Sequence, residues 1–208
     1  MANHPDRDTV FGKAIADHLE VIAAVTGQQE LLEEIARLMA EALHRGNQIL
    51  WCGNGGSAGD SQHLAAEIVG RFRRERRGLP SIALTTDTSI LTSVANDYGY
   101  EAVFSRQVEA IGRPGDVLVG ISTSGNSHNV ICALEAARPR EIATVAFTGL
   151  GGGRMGALAD HLFAVESRDT ARIQEAHMLA GHMICDWLEL DWIATQAEVV
   201  GAKEAGVH

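Results

Sequence analysis

Gln48-Ile49-Leu50-Trp51-Cys52-Gly53-Asn54-Gly55-Gly56-Ser57 is the stretch whose reading decides the fold. A short apolar run without alternation reads as a strand buried on both faces. It runs straight into a glycine-rich turn, after which a helical pattern passes through His63, Glu67 and Arg71. The same texture recurs along the chain. Ser81-Ile82-Ala83-Leu84 is a second strand, followed by a Thr/Asp/Ser loop and helical stretches carrying Asn96 and Asp97. Residues 116–121 form a third, which enters Ser122-Thr123-Ser124-Gly125-Asn126-Ser127 and another helix. Residues 142–147 form a fourth, ended by Thr148-Gly149 and Gly151-Gly152-Gly153, and 161–165 a short fifth. A last long helix runs from about Ala171 to Gln196. Apolar strands alternating with helices predict an α/β three-layer sandwich with a mainly parallel central sheet.

Upstream, residues 10–45 read as two helices with a turn at Gly27; Leu31, Ile35, Leu38 and Leu43 follow an amphipathic spacing. The earlier helix carries Phe11, Ile15, Leu19 and Ile22 with no partner strand near it in sequence, so a second subunit would give that face a place to pack. With 4 prolines, no low-complexity linker and no solenoid repeat, the 208 residues read as one domain with an N-terminal helical extension over about 10–46. Apolar residues at 46% and charged residues at 21% exclude a largely disordered chain. A net charge of −10, from 17 basic against 27 acidic side chains, disfavours nucleic acid and anionic membranes as partners. No apolar run approaches the ~20 residues a membrane span needs, and residues 1–10 are too polar for a signal peptide. Cys52, Cys132 and Cys185 are odd in number and lack a CxxC pair, the usage of reduced thiols in cytosol. A cytoplasmic protein is expected.

Two strand-to-helix junctions share one chemical style. Gly53 to Ser57 sets backbone N–H groups and a helix N-terminus where an anion can meet them. Ser122 to Ser127 adds hydroxyl donors suited to phosphate oxygens. In open parallel sheets both lie at the carboxyl ends of strands, where ligands sit. Neither matches a dinucleotide or nucleoside-triphosphate motif, so together they favour a small anionic ligand over simple turns and caps. His63 and Glu67, four apart on a helix, face one side; that spacing suits a shared metal, an acid–base pair or a plain surface pair. Gln174, Glu175, His177 and His182 crowd the start of the last helix, with His177 read as a core residue. The basic cluster Arg71, Arg73, Arg74, Arg76 and Arg77 reads as a solvated helix end, with Arg71 alone near enough to the loop to meet a phosphate.

Five segments together resemble the phosphoheptose isomerases of the sugar-isomerase (SIS) group: residues 53–57, His63 with Glu67, residues 95–99, residues 120–127 and residues 172–177. The resemblance covers roughly 10–195. It implies a flavodoxin-like SIS fold and a cytoplasmic homotetramer that isomerises sedoheptulose 7-phosphate, with Zn²⁺ at the site. Carried over by motif, the metal ligands are His63, Glu67, Gln174 and His182. Substrate contacts are Asn54, Gly55, Gly56, Ser57, Glu67, Asn96, Asp97, Ser122, Thr123, Ser124, Ser127 and Gln174. Glu67 is the general base and His182 its acid–base partner. Some members carry an acidic residue three positions before the motif glutamine, where this chain has Ala171, with Asp169 nearby but displaced.

Gln174 and His182 are eight residues apart, about 12 Å of rise on a continuous helix, so they share one ion only near full stretch. Either Gln174 lies at a frayed helix start, or the ligand set is completed across a subunit interface; the second is the expectation. The competing function is a non-catalytic SIS-domain protein that binds sugar phosphate and associates with the bacterial replication initiator. Such relatives have a different residue at the position of His182. Another SIS sugar enzyme, or a sugar-phosphate-sensing regulator, is the remaining alternative; a regulator would need a basic recognition helix that the N-terminal helices lack.

Overall fold

The structure, a computed structural model, describes residues 7–205. The polar N-terminal ten residues and His4 and His208 therefore lie largely outside the described part. Two helices come first, α1 (Arg7–Val25) and α2 (Gln29–His44), separated by a short turn at Thr26–Gln28 that contains Gly27. Then strands and helices alternate: β1 (Ile49–Gly53), α3 (Gly56–Val69), β2 (Ser81–Ala83), α4 (Thr88–Tyr98), α5 (Ser105–Ile111), β3 (Val117–Ser122), α6 (His128–Ala137), β4 (Ala143–Thr148), β5 (His161–Ala164) and α7 (Thr170–Ala205).

The five strands form one parallel sheet in the order β2-β1-β3-β4-β5. This is the flavodoxin-like order, which reverses direction between β1 and β3 and so opens a crevice at their carboxyl ends. The residues of β1 and β3 are all buried, because helices cover both faces. Alternation then assigns each side chain to a layer. Ile49, Trp51, Val117, Val119, Val145 and Phe147 pack under α2, α3 and α7; Leu50, Cys52, Leu118 and Ala146 pack with α5 and α6. Full burial of a Leu, Ile or Phe side chain contributes about 1.5–3 kcal/mol, so the central strands β1, β3 and β4 are held from both sides, whereas Ile82 of edge strand β2 is exposed.

The apolar face of α2 turns inward through Leu32, Ile35, Ala36, Met39 and Leu43. Leu31 and Leu38 pack at its margin. α1 lies along α7, where Arg172 donates to the Ala14 carbonyl at 2.9 Å and His18 pairs with Glu175 at 2.7 Å. Its other side leaves Phe11, Ile15 and Leu19 exposed. No helix among the described residues is long and apolar enough to cross a membrane. Cys52, Cys132 and Cys185 are free, and burial pushes the Cys52 and Cys185 thiols up to about 12.

His177 of α7 is fully buried against Phe147 and Phe163, as expected of a core residue. Its Nε2 lies 3.0 Å from the Thr148 carbonyl and must donate there, while Nδ1 has no partner. Burial pushes its pKa from 6.5 down to about 4, against the bond to Thr148. As pH falls, the unfolded chain takes up this proton first. The stability from neutral His177 is whole above pH 6.5 and is lost as pH falls toward 4. Between pH 7.5 and pH 5 the loss from this residue is about 2 kcal/mol, using ~1.4 kcal/mol for each tenfold change. Denaturant unfolding at the two pH values should show a decrease smaller by about that amount in His177→Gln. An equal decrease in both proteins would mean that other groups control the acid limb.

Candidate active site

Register brings the two loops together. Gly53 pairs with Ile121, so β1 and β3 end side by side and release residues 54–56 and 123–127 into the same crevice. No side chain caps α3 or α6, so N–H groups of their first turns remain open to an anion. The hydroxyls converge: Ser122 Oγ lies 2.8 Å from Ser127 Oγ and 3.3 Å from Ser124 Oγ. Thr123 is half-buried, and its carbonyl accepts the Gly149 N–H at 3.0 Å. Ser57 is buried, with its carbonyl bonded to Ser61 Oγ, whereas Gly55 and Gly56 are exposed.

α3 and α7 run side by side in the same direction, and Gly181 is what lets them close. A Cβ at residue 181 would sit 2.5 Å from both terminal methyls of Leu64. That approach delivers His182 to the face of α3 bearing His63 and Glu67. His63 Nε2 is 2.9 Å from His182 Nε2 and 3.3 Å from Glu67 Oε1, and one ligand atom from each of the three lies within 4.8 Å of the others. Two imidazole nitrogens and a carboxylate oxygen thus point at one place. Ligand atoms of a tetrahedral Zn²⁺ are about 3.3 Å apart, so this donor set fits zinc in both chemistry and spacing. Burial, together with the charges of His63 and Arg73, pushes the His182 imidazole below its ordinary range, with Glu67 opposing. The neutral ring is the form that ligates a metal or accepts a proton.

Gln174 is placed differently from these three. Its amide lies over Gly56, where a side chain on residue 56 would overlap it. α7 is continuous from Thr170, so Gln174 is not on a frayed end, and about 12 Å of helix rise separates it from His182. His63, Glu67 and His182 therefore converge within one chain, while Gln174 stands at the loop end of the crevice. Asn54 is also engaged: it exchanges amide bonds of 2.8 and 2.9 Å with buried Asn129 and accepts from Tyr100 OH at 3.0 Å. That reciprocal pair bolts the first loop to the helix after the second. Asn96 and Asp97 are exposed at the end of α4 and bonded to each other at 2.8 Å. Asp169 accepts the Ala171 N–H at 2.9 Å and caps α7, which explains an acidic residue there rather than at 171.

Sequence reading missed Asp60. It sits one turn before His63, its Oδ2 is buried without a partner, and burial pushes the carboxyl up to about 6 against the charge of His63. The three-residue spacing to His63 was the available signal. Asn129 was missed as well, since nothing local marks it as the partner of Asn54. The basic cluster departs from the solvated helix end expected. α3 stops at Val69; Arg73 and Arg74 pair with Asp186, and Arg76 has a buried side chain beside buried Glu189. Arg71, Arg73 and Arg77 are exposed as expected, Arg71 with Glu75 at 3.7 Å and Arg77 over Trp192; Arg74 and Arg76 are the ones drawn in against α7.

Similarity to known proteins agrees with this geometry. The SIS domain family matches residues 10–149. The chain is 52% identical over 183 residues to a phosphoheptose isomerase of Akkermansia muciniphila, covering 88% of this chain and 94% of that protein. It is 57% identical over 162 residues to that of a Roseiflexus species, covering 78% and 82%. The structure of phosphoheptose isomerase from Neisseria gonorrhoeae superposes with a TM-score of 0.84 at 45% identity, covering 88% of this chain and 99% of that one. By sequence and by fold, the chain belongs to the SIS domain family and, within it, to the phosphoheptose isomerases.

Proposed function

We propose that this protein interconverts D-sedoheptulose 7-phosphate and a D-glycero-heptose 7-phosphate, D-glycero-D-manno-heptose 7-phosphate being the expected aldose, through an enediol. The observation that carries the reading is the convergence of His63, Glu67 and His182 beside two anion-suited loops at the sheet's switch point. The loop of Ser122, Ser124 and Ser127 holds the phosphate with its hydroxyls and the N-terminus of α6. Asn54, Gly55, Gly56, Ser57, Asn96, Asp97 and Thr123 contact the sugar, and Gln174 meets it above Gly56. The Glu67 carboxylate takes the proton from C1 of the ketose and returns it to C2. His182 carries the compensating proton between the two oxygens, so the cis-enediol forms and collapses with no net proton gained or lost. His63, Glu67 and His182 would hold zinc, with Gln174 as a fourth ligand only if it comes from another subunit, and the ion when bound would supply a Lewis acid that polarises the carbonyl. The protein works in the cytoplasm as a homotetramer, in which exposed Phe11, Ile15 and Leu19 of α1 find their partners. The presence of His182 argues against the non-catalytic reading.

The test is direct. Purified protein with zinc should convert sedoheptulose 7-phosphate to an aldoheptose 7-phosphate without nucleotide or redox cofactor, followed by NMR or chromatography. No turnover by a folded, zinc-supplied oligomer would sink the assignment. Ser122→Ala should weaken phosphorylated substrate by about 1.5–3 kcal/mol, the range for a hydrogen bond to a charged group. KM should rise with kcat little changed, and competition by unphosphorylated heptose should be unaffected. Equal losses for both sugars would move this hydroxyl to another part of the ligand.

A further inference from the structure

Residues 70–80 link α3 to β2 without a helix or strand of their own, and this irregular segment abuts the catalytic residues at two points. What holds it in shape is one carboxylate. Glu189 of α7 is fully buried; its Oε1 accepts the Phe72 N–H at 2.6 Å, and its Oε2 accepts the Arg73 and Arg74 N–H groups at 2.9 Å each. Three consecutive N–H groups closing on one anion form a backbone nest, an arrangement that demands an acceptor with full negative charge. Arg76 Nε stands 3.5 Å from Oε1 as an ion pair, with its side chain 3% exposed. Burial alone would raise the Glu189 pKa, but the three N–H groups and Arg76 outweigh it and hold the carboxyl below its ordinary range.

From this anchor two contacts reach the site. Phe72 lies against the His182 ring, centroids 5.1 Å apart and planes 24° apart, covering one face of the imidazole. Arg76 Nη2 donates to the Glu67 main-chain carbonyl at 2.8 Å, and its Nη1 donates to the Gly70 carbonyl at 3.0 Å, closing the end of α3. His182, Asp186 and Glu189 follow one another at helical spacing on α7, so a single face presents the imidazole, the partner of Arg73 and Arg74, and the anchor. We propose that Glu189 is a positioning residue of the isomerase site, holding residues 72–76 so that Phe72 fixes the plane of His182 and Arg76 fixes the turn of α3 that carries Glu67. Groups behind a ligand or acid–base residue control its orientation in this way, and their loss costs 10–100-fold in metal affinity or activity.

This inference rests on the roles assigned to His182 and Glu67 above. Its test uses the full chain as Phe72→Leu, Phe72→Tyr, Glu189→Gln and Glu189→Asp. Zinc affinity is read by competition with a chromophoric chelator, kcat and KM with sedoheptulose 7-phosphate, and folding by circular dichroism and Tm. Phe72→Leu leaves the anchor and the fold intact. It should lower zinc affinity and kcat each about 10-fold, with KM within about twofold because the phosphate loops are untouched. Phe72→Tyr should restore both. Glu189→Gln turns an amide NH2 toward the nest and should lose more than Phe72→Leu, while Glu189→Asp regains part of the loss. Wild-type zinc affinity and kcat in folded Phe72→Leu would overturn the proposal, as would losses that track Tm alone and are not relieved by Tyr. Should the wild type bind zinc but turn over no sedoheptulose 7-phosphate, the isomerase reading fails and zinc affinity still decides the role of Phe72. A wild type that does neither overturns both.

Discussion

Glu67→Gln is expected to lower kcat for sedoheptulose 7-phosphate by at least ~10²-fold in a chain that folds as the wild type does. The side chain is half-buried on α3, and its backbone carbonyl is held by Arg76, so an amide of nearly the same shape fits without moving the helix. What changes is chemistry. A carboxylate accepts a proton from carbon and gives it back, and a neutral amide does neither. General-base removal spans ~10²–10⁴ in rate, so ~10² is the smallest loss expected. The amide oxygen still faces His63 Nε2, at 3.3 Å in the parent, so the cluster does not collapse. Glu67 is also a ligand under the proposed zinc chemistry, so kcat must be read at saturating zinc, with metal content measured on the same sample. Exchange of the C1 hydrogen with solvent separates the two roles. A variant that holds zinc and still washes out C1 deuterium at the wild-type rate would remove Glu67 as the base.

The fold was legible because a parallel sheet covered on both faces leaves a plain imprint. Each strand is a short, mostly apolar run without polar alternation, and the observed strands 49–53, 81–83, 117–122, 143–148 and 161–164 sit within a residue or so of those runs. The N-terminal turn was marked by Gly27, and the crevice by where the two glycine- and serine-bearing loops leave their strands. That His63 and Glu67 share one helix face was legible from helical spacing, which by itself left a plain surface pair open. Their meeting with His182 was not, since it depends on α3 and α7 packing close at Gly181, more than a hundred residues along the chain. The arginine cluster misled for the same reason. A run of cations after a helix looks solvated until its counter-charges, Asp186 and Glu189, are folded against it. Helix rise did forbid an easy meeting of Gln174 with His182, and the structure sets Gln174 at Gly56 instead. Long-range pairs such as Asn54 with Asn129 carry no local signature at all.

The second large effect is expected at a residue with no side chain. Gly125→Ala should raise KM for the phosphorylated sugar by about 10²-fold and lower stability by about 3 kcal/mol. Gly125 turns the loop proposed to hold the phosphate with φ of +64°, its N–H donating to the Ser122 carbonyl at 3.0 Å and its carbonyl accepting the Met155 N–H at 3.0 Å. An alanine there bears the left-handed penalty of roughly 1–2 kcal/mol. Its Cβ would also overlap the Gly152 carbonyl oxygen and lie 2.6 Å from that carbonyl carbon and 2.9 Å from the Gly153 nitrogen. Those atoms are backbone, so a rotamer change cannot relieve the clash. Overpacking adds about 1–3 kcal/mol, and relief comes only by moving the loop away from residues 152–153. Ser124 and Ser127 flank this turn, so their hydroxyls move with it, and a displacement near 1 Å costs about 10²-fold where groups must align. Gly151→Ala is the control: its φ is +80°, yet a Cβ there meets nothing within 4 Å. It should show the left-handed penalty alone, about 1–2 kcal/mol in denaturant unfolding, with KM unchanged. If the two variants lose equal stability and neither alters KM, the interlock of the glycine loops does not hold the phosphate site, and the serine hydroxyls must be positioned by their own hydrogen bonds.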